Sequence, residues 1–157
     1  IAEKMAASFT DIAVACMMIG FSRGILVVLQ SGHIIDTIVY GISIPLHYFP
    51  SWVASEAMLV VQTLLNFLIP SGSGQAVTSM PIMAPLADLV GVSRQVSVLA
   101  FQFGDGLSNI VWPTAMAPIM CGIAGVKIEK WWKFIVPIFL VLLLTQGILI
   151  GISTIVF

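Results

Sequence analysis

The sequence predicts an all-α integral membrane fold, with about four transmembrane helices, a re-entrant helical hairpin and one broken helix. Three observations predict it. Hydrophobic residues make up 59% of the 157 positions, charged residues only 8%, and the mean hydropathy is +1.11. No charged side chain occurs within residues 57–87 or 134–157. Two long apolar stretches are interrupted partway by glycine, proline and small polar residues rather than by charges. A soluble domain carries roughly 25% charged residues, because its surface must be solvated. Six basic and seven acidic side chains cannot cover a water-soluble globule of this length.

The elements follow in order. The chain opens on Ile1-Ala2-Glu3-Lys4 rather than on Met, and a fragment of a longer protein is expected. Residues 5–21 form a first apolar stretch, closed by Ser22-Arg23-Gly24. A second stretch, residues 25–44, carries Gln30, Ser31, His33 and Asp36 and ends at Pro45 and Pro50, beside His47, Tyr48 and Trp52. Aromatic residues gather at membrane–water interfaces. This region reads either as a crossing followed by an interfacial arm or as a broken helix.

Residues 52–92 predict the hairpin. Two apolar arms, 54–69 and 76–90, flank Pro70-Ser71-Gly72-Ser73-Gly74-Gln75. Each arm of about 15 residues spans about 22 Å, short of the ~30 Å hydrocarbon core. An extramembrane loop between two crossings would collect charge near its ends, and this tip has none nearby. Two short arms around a polar tip therefore predict a segment that enters and leaves on one side. Such backbone is tolerated at membrane depth only where protein or a water-filled cavity surrounds it.

Residues 95–126 fit one tilted crossing, opened in its middle by Gly104-Asp105-Gly106-Leu107-Ser108-Asn109 and by Pro113-Thr114. Proline removes an amide donor, and glycine lowers the cost of unwinding. The last helix is expected over residues 131–157. Lys127, Lys130 and Lys133 precede its charge-free part, which places that end in the cytoplasm by the positive-inside rule, although Arg94 falls on the opposite side. The whole chain, 1–157, reads as a single membrane domain.

Broken helices expose amide N–H groups at one half-helix start, suited to anions, and carbonyls at another end, suited to cations. The candidate substrate- or ion-binding residues are Ser71, Gly72, Ser73, Gly74 and Gln75 at the tip. Asp105, Ser108, Asn109, Pro113 and Thr114 join them at the break. Asp105 is the only charged side chain between Arg94 and Lys127, and an intramembrane acid is functional by default because burying it is costly. Glu56 and Asp88 bracket the hairpin and read as interfacial. His33 and Asp36, three apart, suit a local hydrogen bond better than a metal.

Other chemistries fit less well. Cys16 and Cys121 have no C-x-x-C partner and read as small buried apolar residues. A net charge of −1 offers nothing to nucleic acid. An intramembrane serine protease of the rhomboid type needs Gly-x-Ser-Gly with a later histidine; here Ser71-Gly72-Ser73-Gly74 lacks the first glycine and both histidines precede it. An intramembrane aspartyl protease needs Gly-x-Gly-Asp, where this chain has Gln102-Phe103-Gly104-Asp105. No catalytic residue, resident metal or cofactor is expected. A pore or a structural membrane subunit remains the alternative to a transporter.

Three runs carry a resemblance: Pro70 to Gln75, Met80 to Val92, and Ala100 to Gly106. Ser22-Arg23-Gly24 and Asp36-Thr37-Ile38 agree with it. Together they resemble the YfcC-like branch of the ion transporter superfamily, whose members are described as four-carbon dicarboxylate carriers or basic amino acid antiporters. The resemblance covers essentially the whole chain, as the C-terminal half of a transporter about three times as long. It implies two inverted halves, each with a hairpin and a broken helix meeting at the substrate, here Ser71–Gln75 and Ser108–Thr114. It also implies an elevator motion coupled to Na⁺ or H⁺, with Asp105 as a coupling or gating acid. Relatives often place a further polar residue after the Pro-Thr pair; Ala115 and Met116 follow here, which leaves the substrate open. The partners so implied are a small carboxylate-bearing metabolite, the bilayer of a bacterial inner membrane, the missing first half and, as an option, a second copy in a homodimer.

Overall fold

A computed structural model describes residues 27–46 and 48–157, together with residues 13, 17, 20, 21 and 24. Cys16, Arg23, His47, most of the first apolar stretch and the His33–Asp36 pairing lie outside what is described. Among the described residues every regular element is an α-helix. Residues 27–31 are helical and end in a turn at Gly32-His33, where His33 takes a left-handed φ of 51°. The chain restarts as α1, Ile34–Leu46, with Pro45 in its last turn.

The hairpin consists of α2, Ser51–Leu68, and α3, Gly72–Leu89. Pro70 ends α2, because a residue preceding proline is pushed out of the helical region; Ile69 accordingly sits at φ −123°, ψ 77°. Ser71 then caps α3, its hydroxyl accepting from the Gly74 amide. A serine N-cap satisfies one of the orphan amides at a helix start. The tip is therefore only residues 69–71. The glycines and Gln75, expected within the polar tip, form the first turn of the second arm. At the open end Ser51 Oγ donates to the Val90 carbonyl at 2.8 Å, stapling the two arms.

Gly91, at φ +71°, turns the chain towards α4, Arg94–Ser108, which Ser93 caps through the Val96 amide. The Arg94 guanidinium holds the exposed Asp88 carboxylate at 2.6 Å, and this contact keeps that carboxyl below its usual range. The helix breaks over residues 109–115 and resumes as α5, Met116–Ala124, closed by left-handed Gly125. The break lies later than the glycine-rich sequence suggests. Gly104 and Gly106 remain helical, and the unwinding belongs to Pro113, which has no N–H to offer the Asn109 carbonyl four residues back.

The last helix, α6, runs Ile128–Val156, about 43 Å at 1.5 Å per residue, and begins three residues before the sequence suggests. By length and composition α2 and α6 could each cross a membrane.

The core lies where α2, α3 and α4 meet, around Met58, Leu59, Leu65, Ile69, Met83 and Val96. Its closest approach is between α2 and α4. A Cβ added to Gly104 would stand 2.8 Å from both Gln62 Cβ and the Thr63 amide nitrogen, so only glycine lets the backbones come this close. On the other side α2 packs against α6. Glu56 lies over Gly147 and Gly151, 3.0 and 3.5 Å from where their Cβ atoms would be, and Thr154 donates to Ser55 at 2.9 Å. Most of the remaining surface of α6 is apolar and uncovered, including Phe134, Val141, Leu144 and Ile155.

Candidate functional site

The buried face of α2 is polar for a helix of this hydropathy: Ser55, Gln62, Thr63 and Asn66 are all buried. Three of them face the hairpin tip and the break. Fully buried Asn66 donates through Nδ2 to the Asp105 Oδ1 and to the Asp105 carbonyl, both at 2.8 Å. Asn109 donates to the same two acceptors, at 3.5 and 2.8 Å. The other carboxylate oxygen lies against the start of α3, since a Cβ on Gly72 would be 2.7 Å from Asp105 Oδ2. A helix start carries partial positive charge and unsatisfied amides, which favours the carboxylate, whereas the last turn of α4, where Asp105 itself sits, opposes it. No basic side chain of the described residues pairs with it. The Oδ1 atom of Asn66 is buried beside it without a hydrogen-bond partner. Gln62 Nε2, Gln75 Oε1, Ser97 Oγ and Gln146 Oε1 are buried and unpaired as well; Asn66 Oδ1 differs from them in lying beside a carboxylate.

The break is gripped from two directions. On the hairpin side, the Trp112 indole donates to the Thr63 carbonyl at 2.8 Å and the Thr114 hydroxyl to the Phe67 carbonyl at 2.7 Å. Phe67 also stacks edge-on against Trp112, with ring centroids 5.3 Å apart. On the far side, Trp131 and Trp132 of α6 donate to the carbonyls of Ile110 and Val111, at 2.8 and 2.9 Å. Asn66 holds Asp105 and the adjacent Phe67 holds Thr114. One turn of α2 thus brings both sides of the break to the hairpin tip.

Of the residues expected at the site, Gly72, Asp105 and Asn109 converge here, and Thr114 joins them through Phe67. Ser108 is buried, its hydroxyl turned back onto the Gly104 carbonyl. Pro113 is exposed at the break. Ser71 caps α3, with its hydroxyl 3.5 Å from that of exposed Ser73. Gly74 packs against Ile69 and Ser71. Gln75 points elsewhere. It is fully buried between the arms and donates to the side chain and the carbonyl of Gln62, at 2.7 and 2.8 Å. Ser79 adds a third bond to Gln62 Oε1 at 3.1 Å. Gln62, Thr63 and Asn66 were not singled out from the sequence. Their signal is three polar residues at 62, 63 and 66 in the otherwise apolar stretch 57–68, a spacing that puts them on one face. Among the described residues there is no cluster of three metal-ligating side chains.

The family described as "DcuC: C4-dicarboxylate anaerobic carrier" matches residues 2–155. The chain belongs to the DcuC family. The protein of Escherichia coli (strain K12) named "Putative basic amino acid antiporter YfcC" is 42% identical over 142 residues, 83% of this chain and 28% of that one. An uncharacterized protein of Haemophilus influenzae (strain ATCC 51907 / DSM 11121 / KW20 / Rd) is 35% identical over 150 residues, 96% of this chain and 30% of the relative. Inner membrane protein YbhI of Escherichia coli (strain K12) is 26% identical over 82 residues, 51% of this chain and 17% of that protein. This DcuC-family chain therefore spans less than a third of the length of the curated relatives it matches. No solved structure matches it. The family is one of carriers, not enzymes.

Proposed function

We propose that the chain is the C-terminal half-site of a multi-pass inner-membrane secondary transporter. It exchanges or takes up a small carboxylate-bearing metabolite, either a dicarboxylate or an amino acid such as arginine or ornithine. The observation that carries this reading is the meeting of two helix interruptions at one acid: the start of α3 at Gly72 and the break after Ser108 both abut Asp105. Half-helix starts offer N–H groups to a carboxylate substrate. Asp105 itself would repel such a substrate unless a cation or proton neutralised it. The carboxylate and the unpaired Asn66 Oδ1 are both oxygen donors of the kind a hard cation takes, so Na⁺ or H⁺ is the coupling ion, bound together with the substrate. Asn109 and Thr114 contact substrate or ion, and Ser71 and Ser73 line the approach.

The re-entrant reading rests on where the tip ends and not on length. Arms of 18 residues, about 27 Å, are longer than the sequence suggests, and α2 alone could span a membrane. The tip lies level with the break, while α5 continues past it. The arms thus enter and leave on the side opposite Lys127, Lys130 and Lys133. The other half of the site, and with it an inverted repeat and an elevator motion, belongs to the remainder of the transporter.

The test is a thermal-shift screen of the full-length protein in detergent, pairing amino acids and dicarboxylates with and without Na⁺ at several pH values. A ligand that binds only the folded state raises its stability by mass action, so one substrate–ion pair should stabilise more than either alone. Asn109→Leu should abolish that shift and saturable uptake while leaving membrane insertion intact. Unchanged uptake in this variant would remove Asn109 from the site, and absence of any shift or uptake with both substrate classes would refute the transport reading.

A further inference from the structure

Unwound backbone in a membrane protein must find partners for its carbonyls wherever protein or lipid keeps water from them. In a continuous helix the carbonyls of Ile110 and Val111 would accept from Thr114 and Ala115. Here the Ala115 amide goes to Trp112 instead, at 3.2 Å, and Pro113 turns the chain away. The two orphaned carbonyls are consecutive, and so are the two indoles that satisfy them: Trp131 to Ile110 and Trp132 to Val111. An indole N–H is a donor only, so this contact has a single polarity and no neighbouring acceptor can replace it.

Tryptophans beside lysines at a helix start also serve as interfacial anchors, and Lys127, Lys130 and Lys133 are exposed on the same turns. An anchor points its N–H at lipid headgroups. Both of these N–H groups point inward, and both side chains are half-buried. The opposite flank of the break is already tied to the hairpin through Trp112 and Thr114. The break therefore hangs between two fixed supports, the hairpin arm and the last helix.

We propose that Trp131 and Trp132 are positioning residues that hold the break in its ligand-receiving shape. They thereby set substrate affinity from a helix that contributes no side chain to the Asp105 cluster. The affinity part of the proposal rests on the transport reading above; the clamp itself does not. The experiment uses the full-length protein with Trp131→Phe, Trp132→Phe and the double variant, which keep a ring and lose the donor. Trp52→Phe, at an exposed site on α2, serves as the control for loss of an interfacial indole.

Hydrogen–deuterium exchange at the amides of residues 109–117 should rise in the two single variants and further in the double, with exchange in α2 unchanged. KM for the substrate found by the screen should rise about fivefold to tenfold per lost bond, the equivalent of one net hydrogen bond, with kcat within twofold. Trp52→Phe should change neither readout. Unaltered exchange over 109–117 in the double variant would overturn the clamp. Raised exchange with KM unchanged, or with kcat falling as steeply as affinity, would overturn the positioning role. If the wild type shows no saturable uptake, the transport reading fails and the exchange result alone decides the clamp.

Discussion

Replacing Gly104 by alanine isolates the contact on which the site is assembled. The added Cβ would stand 2.8 Å from Gln62 Cβ and from the Thr63 amide nitrogen, and 3.0 Å from the Gln62 carbonyl carbon. Comfortable heavy-atom separations are about 3.5–4.0 Å, so α2 and α4 must part by something approaching 1 Å. Two of the three atoms met are backbone, which cannot swing aside as a side chain can. Overpacking of this kind costs about 1–3 kcal/mol, while exchanging a helical glycine for alanine gains about 1 kcal/mol. Gly106, two residues on in the same helix with nothing near its Cβ position, supplies the gain without the clash. The difference between Gly104→Ala and Gly106→Ala is then the clash alone. For a full-length protein about three times as long as this chain, roughly 2.1 cal/mol/K per residue makes 1 kcal/mol worth about 1 °C. Their melting midpoints should therefore lie about 1–3 °C apart, read by thermal unfolding of the full-length protein in detergent. Retreat of α4 should also stretch the Asn66–Asp105 bonds one turn away, so ligand-induced stabilisation should weaken in Gly104→Ala and survive in Gly106→Ala. Equal midpoints would refute the close-approach argument.

Three further outcomes are expected. Gly72→Ala places a methyl 2.7 Å from Asp105 Oδ2 and must turn that carboxylate off the helix start; it should leave the melting midpoint within a few degrees of wild type yet weaken ligand binding more than tenfold, measured by ligand-induced thermal shift. Gln75→Leu breaks the bonds to Gln62 and should destabilise by about 1–3 kcal/mol without altering substrate selectivity. Adding Gln62→Leu should recover part of the loss, because removing both partners leaves fewer buried polar groups unmet; a selectivity change in Gln75→Leu would instead make Gln75 a substrate ligand. Ser55→Cys with Thr154→Cys, in a background lacking Cys16 and Cys121, should form a disulfide under oxidation and retain uptake, since the two hydroxyls already meet at 2.9 Å; loss of uptake on oxidation and its return on reduction would mean that α2 and α6 slide past each other.

The helical class was legible because lipid demands it: with so few charges no other solvent suits the chain, and breaks at Pro70 and Pro113 follow from a missing amide. Boundaries were less legible. Ser71-Gly72-Ser73-Gly74 reads as loop by composition, yet a serine cap and a short turn let the helix begin at once. Gly104-Asp105-Gly106 reads as a break, yet Gly104 serves the approach of a neighbouring backbone, a need that no local pattern announces. At the site, Asp105 stood out as a lone charge and Asn109 by its place beside the break. Asn66 did not, because a carboxamide inside an apolar run has no meaning until the fold brings an acid to it. Gln75 lies away from the Asp105 cluster for the matching reason: its neighbours in sequence are at the tip, while its side chain turns inward to Gln62.

The lodging of Glu56 over Gly147 and Gly151 has a mechanical consequence. Successive turns of a helix are about 5.4 Å apart, so a slip of α2 along α6 by one turn would carry the carboxylate from the glycine pair onto Leu143 in one direction or Ile155 in the other. Neither leaves the hollow that the missing side chains provide. The acid acts as a pawl in a two-tooth rack, fixing the register of the helix pair by shape rather than by charge. In the transport reading proposed above, the hairpin and the last helix would therefore move as one body.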